Sequence, residues 1–241
     1  LHNATDSEWG VLVRRQMENI ASVIPYLGVF FLPLILFCAP ILWKWWNIEP
    51  GVDPLLDAKA GFLNHEFFWF RYVAYFVGLG GVALALRRAS VAQDDDGTAK
   101  HTYFLRKAAI AGLPVFAVCL TFAAVDWLMG LDYHWFSTMW GVYIFAGSAG
   151  SSMALLVLVI TGLRKAGYLQ AVNMEHYHIM GKFLLAFTVF WAYIAYSQYM
   201  LIWYANMPEE TIYFKIRNTE GWHILTSILV VGRFFIPFPL L

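Results

Sequence analysis

An aspartate, Asp126, stands in TFAAVDWLMGLDYHWFSTMWG (121–141), where the neighbouring letters describe a helix dissolved in lipid. An ionisable side chain inside a membrane helix costs about 2.5–3.5 kcal/mol at mid-span, so it needs a partner or a task. Asp126 falls about four residues inside the end of its span, roughly 6 Å deep at 1.5 Å per residue. Burial raises a carboxyl pKa and a nearby cation lowers it, so such a group can load and release protons near neutrality. Proton handling, a quinol contact and a structural ion pair are all open for it. The second such residue is Arg233, in ILVVGRFFIPFPLL. Counted from His223 it is about 15 Å deep, near the bilayer midplane. Pro237, four residues later, has no N–H, so the Arg233 carbonyl loses its helical donor and the backbone is expected to break there. A buried pair between Asp126 and Arg233 is expected; the alternative is that Arg233 faces a water cavity or a carboxylate from elsewhere.

A polar face is legible in KFLLAFTVFWAYIAYSQYMLIWY (182–204). At 100° per residue, Lys182, Tyr193, Tyr196, Ser197 and Tyr204 fall within about 100° of one another, and Gln198 flanks them. As a unit, this stripe reads as a hydrated path for protons inside the bundle; residue by residue, it reads as interhelical hydrogen bonding. His176 and His178, in MEHYH just before it, are either proton-collecting groups or a solvated helix cap. A quinone site in this chain would have to open around Asp126, His134 and Trp135, where a hydroxyl head could bond and a ring could stack.

The elements that must hold these residues are transmembrane helices. About 20 apolar residues cross a bilayer, and that template fits six segments, near 20–43, 67–86, 108–129, 139–163, 181–202 and 224–241. The fold expected is an all-α polytopic bundle forming one integral membrane domain over 1–241. Pro33 should kink the first span. QDDDG (93–97) reads as a solvated turn, and AGSAGSS (146–152) as small residues that let another helix approach. Lysines and arginines divide ten to five between the two sets of loops, with Arg87, Arg88 and Lys107 on the richer side and Lys44, Lys59, Arg71, Lys215 and Arg217 on the poorer. The richer side is therefore expected in the cytoplasm. Trp43, Trp45, Trp46, Trp135, Trp140, Trp203 and Trp222 gather at the other end, in the manner of an interfacial belt.

Of 241 residues, 60% are hydrophobic and 18% aromatic, and only 13% are charged, which sets the chain outside the soluble balance. Formal net charge is zero, so nothing electrostatic draws it to nucleic acid. Cys38 and Cys119 lie in apolar runs without CxxC or CxxCH spacing, which argues against covalent haem and cysteine-ligated iron–sulfur clusters. No histidine falls mid-span, which argues against b-type haem. No metal site and no catalytic set of residues is expected, and membrane lipid is the surrounding partner.

The stretches DWLMGLDYHWFSTMWG, MEHYHIMGKFLLAFTVFWAYIAYSQYMLIWYANMPEET and GRFFIPF resemble the ActF-type subunits of bacterial alternative complex III, and through them the NrfD/PsrC-like integral membrane subunits. The likeness is densest over 108–211. It implies a multi-pass, non-redox subunit in the bacterial inner membrane, within a quinol:cytochrome c or high-potential iron–sulfur protein oxidoreductase. It implies an ActC-like membrane neighbour, periplasmic multihaem cytochrome and iron–sulfur subunits, a candidate proton-translocation path and contact with menaquinone or another quinone. Such subunits have about ten spans, so the six found here are expected to be part of a longer one. The alternative from another class is a transporter or channel core, favoured by the prolines of the first and last spans.

Overall fold

The computed structural model describes every residue except Leu1 and Asp6. Among the described residues the chain is helical and has no strand. Six helices are long and apolar enough to cross a bilayer. These are α1 (Ile24–Leu42), α2 (His65–Asp96), α3 (Ala99–Trp127), α4 (Trp140–Lys165), α5 (Met174–Ala205) and α6, which runs over Glu220–Val230 and then through a π turn, Val231–Phe235, to Pro237–Leu240. Each packs chiefly on its neighbours in sequence, α2 on α3 and α4 on α5 most extensively. Short helices, Arg14–Ala21, Pro54–Lys59 and Pro208–Arg217, lie at the ends.

Local chemistry sets the boundaries. Asn64 caps α2 by accepting from the Phe67 N–H at 2.8 Å. Asn173 and His176 form a reciprocal capping box at the start of α5. Gly97 (φ 62°) closes α2 and Asn206 (φ 50°) closes α5 in the left-handed conformation. α1 runs unbroken through Pro33 and Pro40. The π turn in α6 sits where Pro237 withholds its N–H from Arg233, as the sequence requires.

α2 and α3 extend well past their apolar cores. The stretch 93–96, expected as a turn, is the last turn of α2. Its acids have partners that hold it helical: Asp94 meets Arg15 at 2.8 Å and Asp96 meets His101 at 3.0 Å. Thirty-two residues span roughly 48 Å against a hydrocarbon thickness of about 30 Å, so this basic end projects beyond the membrane. The outward faces are apolar, as lipid requires: Phe37 and Ile41 of α1 are 77% and 83% exposed.

The tryptophan-rich end is built differently from an interfacial belt. Trp203 and Trp222 are exposed, but Trp43, Trp45, Trp135 and Trp140 are buried. Trp43 and Trp45 pack with Ile35, Leu56, Phe68, Tyr72 and Tyr133, and Trp135 and Trp140 with Ala124. Half a belt has become a core because the connections 43–64 and 128–139 fold back over the helix ends, giving the indoles protein to pack against.

Candidate functional site

Asp126 is the penultimate residue of α3, yet it is only 2% exposed. Its partner is Arg71, on the second turn of α2 and 5% exposed. Arg71 Nε donates to Asp126 Oδ2 at 2.7 Å and Nη2 donates to Oδ1 at 2.8 Å, a bidentate pairing. Tyr75, one turn further along α2, donates its hydroxyl to Asp126 Oδ2 at 2.5 Å. The third guanidinium nitrogen, Nη1, donates to the Phe62 carbonyl at 2.9 Å. The rings of Phe62 and Phe67 cover the cation, with centroids 3.8 and 4.3 Å from Arg71 Cζ. Trp43 donates its indole N–H to the Asp126 carbonyl at 2.9 Å, adding α1 to the knot.

Every donor nitrogen of Arg71 and both oxygens of Asp126 are thus engaged. Two buried charges are tolerable only in such geometry. The arrangement ties α2 to α3 and leaves neither group an open position. The expected pair between Asp126 and Arg233 does not form. The side chains of Arg71 and Asp126 meet between adjacent helices, whereas Arg233 approaches a different wall.

That wall is α4. Arg233 Nη2 donates to the Gly147 carbonyl at 2.7 Å and to Ser151 Oγ at 3.0 Å, and its Cζ lies 5.2 Å from the Trp191 ring. Gly147 is where the guanidinium approaches closely: a Cβ there would stand 3.2 Å from Arg233 Nη1 and 3.4 Å from Trp191. These groups line a cavity of about 460 Å³, together with Tyr143, Ser148 and Ser152. A second cavity, about 360 Å³ and apolar, lies among Phe31, Leu34, Leu120, Trp127 and Ile144.

The trio suggested for a quinone contact is not assembled. Asp126 is spent on Arg71 and Tyr75. Trp135 stacks on Tyr213 at 4.0 Å and edges Trp140 at 5.1 Å. His134 belongs to a surface network, 3.2 Å from Asp132 and 3.7 Å from Asp53. In the same network Lys44 pairs with Asp132 at 2.8 Å, Tyr133 donates to Asp53 at 2.6 Å, and Lys59 donates to the Tyr133 carbonyl at 2.5 Å. The Tyr133 hydrogen bond, with help from the Leu55 N–H, holds the Asp53 carboxyl below its usual range. The same bond and burial push the Tyr133 hydroxyl up to about 12. Burial works to raise Asp132, but Lys44 and the His134 N–H outweigh it and the carboxyl is lowered.

The polar stripe of α5 is not inside the bundle either. Tyr193, Tyr196 and Tyr204 are 66%, 65% and 84% exposed, and Lys182 and His178 are exposed as well. Ser197 donates back to the Tyr193 carbonyl, and Gln198 is half-buried. The inward face carries Met180, Trp191, Ile194 and Ile202 instead. Periodicity groups residues on a face without saying whether that face meets protein or lipid, and larger apolar contacts won the inside. His176 is held in the capping box, its Nδ1 2.6 Å from Asn173 Oδ1.

At the basic end, Glu18 is 7% exposed between Arg14 and Arg15, at 3.5 and 3.6 Å. Arg15 also bonds the Ser90 carbonyl at 2.9 Å, clamping the Arg14–Ala21 helix to α2. Among the described residues, no group of three or more His, Cys, Asp or Glu is placed to hold a metal. No protein-family model matches this chain, and no curated protein matches it.

Proposed function

We propose that this chain is a non-redox integral membrane subunit of a quinol-oxidising electron-transfer complex, of the alternative complex III type, in a bacterial inner membrane. The observation that carries this reading is the use made of DWLMGLDYHWFSTMWG, one of the three stretches on which the resemblance to ActF-type subunits rests. Its side chains build the tryptophan-rich end: Asp126 fastens α3 to α2, Asp132 takes Lys44, Tyr133 takes Asp53, and Trp135 stacks on Tyr213. A motif spent on bracing one end of a bundle suits a subunit whose work is to present that end to partners. Its periplasmic neighbours would be multihaem cytochrome and iron–sulfur subunits, and its neighbour in the membrane an ActC-like subunit. Quinone chemistry then belongs chiefly to the neighbour, because Asp126 is closed to a ligand.

Extraction from native membranes in mild detergent tests the reading. Haem and iron–sulfur subunits are expected to copurify with the chain. A second reading, a transporter or channel core, draws on the broken α6 with its mid-span arginine beside a polar cavity. A chain that purifies alone or as a homo-oligomer favours that second reading.

A further inference from the structure

We infer that the cavity around Arg233 is the docking site for a partner transmembrane helix, of a sequence different from these six, that carries one aspartate or glutamate. Four observations point to it. Arg233 sits near the middle of the apolar stretch Gly221–Leu240, where a cation requires a counter-charge. The hydrogen bonds that fix the guanidinium use only Nη2, leaving Nη1 and Nε for another acceptor. Among the described residues, no carboxylate lies within ion-pair distance of it. The cavity opens at the bundle surface beside Ser148 and Ser152, both exposed, so a helix can reach it from the membrane.

The depth and chemistry of the site select the occupant. A lipid phosphate stays at the interface, about half a bilayer from Arg233. Among the described residues of the six long helices, a second copy of this chain offers no suitable acid: Asp126 is committed to Arg71, and Glu66, Asp94, Asp95, Asp96 and Glu175 lie at helix ends. A carboxylate side chain from another helix can accept from Nη1 or from Nε, each a charge-assisted hydrogen bond to a donor that Gly147 and Ser151 leave open. Ser148 and Ser152 of α4 give that helix a small-residue wall, and α6 has a face free to receive it. This inference is independent of the electron-transfer reading and holds equally for a transporter.

The test is site-specific photo-crosslinking in native membranes, with a benzophenone amino acid at position 148 or 152 of the otherwise unaltered chain. The adduct is expected to map to a transmembrane segment outside these six helices, with an Asp or Glu within one helical turn of the crosslinked residue. Its yield should fall roughly tenfold in Arg233→Gln and be largely kept in Arg233→Lys. An adduct on lipid alone, on a second copy of these helices, or on a segment without an acid overturns the inference. So does an undiminished yield in Arg233→Gln. The mapping uses the unaltered arginine, so it stands even if Arg233→Gln fails to accumulate.

Discussion

Arg71 meets Asp126 edge to edge across the α2–α3 interface, with both nitrogen–oxygen contacts at 2.8 Å or less. Tyr75 completes the carboxylate's shell from the same face of α2. Tyr75→Phe removes one hydrogen bond to a buried charge and is expected to cost about 1.5–3 kcal/mol. Arg71→Lys keeps the charge but loses the fork and the stacking on Phe62 and Phe67, so it should be clearly destabilising, not conservative. SDS-titration unfolding in mixed micelles measures both.

Gly147→Ala drives a methyl against Arg233 and Trp191 and is expected to cost about 1–3 kcal/mol. Gly162→Ala, on the same helix with nothing within 4 Å of the added carbon, should be neutral or stabilising by up to about 1 kcal/mol. Equal effects in the same unfolding assay would contradict the close approach of Arg233 to Gly147.

The loop network has a pH signature. Asp53 and Asp132 are both lowered below the usual 3.8, so the unfolded state binds more protons in that range. The stability they confer is present above pH 3.8 and is lost as pH falls through their lower folded values. Tyr133, raised to about 12, favours folding in its neutral form; that contribution is lost as pH rises through 12. Limited proteolysis of the 48–64 connection should accelerate below pH 3.8. Tyr133→Phe should speed cleavage already above pH 3.8 and weaken its acid dependence, because it removes the main cause of the Asp53 shift.

Tyr196→Phe and Tyr204→Phe are expected to leave stability within about 0.5 kcal/mol of the parent, because both side chains face outward. Lys182→Met should be equally mild for the same reason. A loss above 2 kcal/mol in any of the three would show that the stripe has partners inside the bundle.

Much of the fold could be read from composition. Six apolar runs became six helices, and the missing N–H of Pro237 marked the π turn at Arg233. The ends were less legible, because the lengths of α2 and α3 rest on ion pairs such as Arg15 with Asp94, made between residues far apart in sequence. The Asp126 partner was legible in principle. In the apolar runs 67–86 and 108–129, Arg71 and Asp126 stand four and three residues from the same end of two antiparallel neighbours, which marks them as a pair; counting Arg71 as a loop charge hid it. The inward or outward sense of the α5 stripe was not legible, since tyrosine suits a lipid interface and a protein interior alike.

The most direct measurement is a double-mutant cycle on Asp126→Asn and Arg71→Gln, read by the same unfolding titration. Each single change strands a buried charge and is expected to cost about 3–5 kcal/mol. The double change removes both charges, so its cost should fall short of the sum of the singles by about 0.5–3 kcal/mol. Additivity within about 0.5 kcal/mol would contradict the claim that these two residues tie α2 to α3.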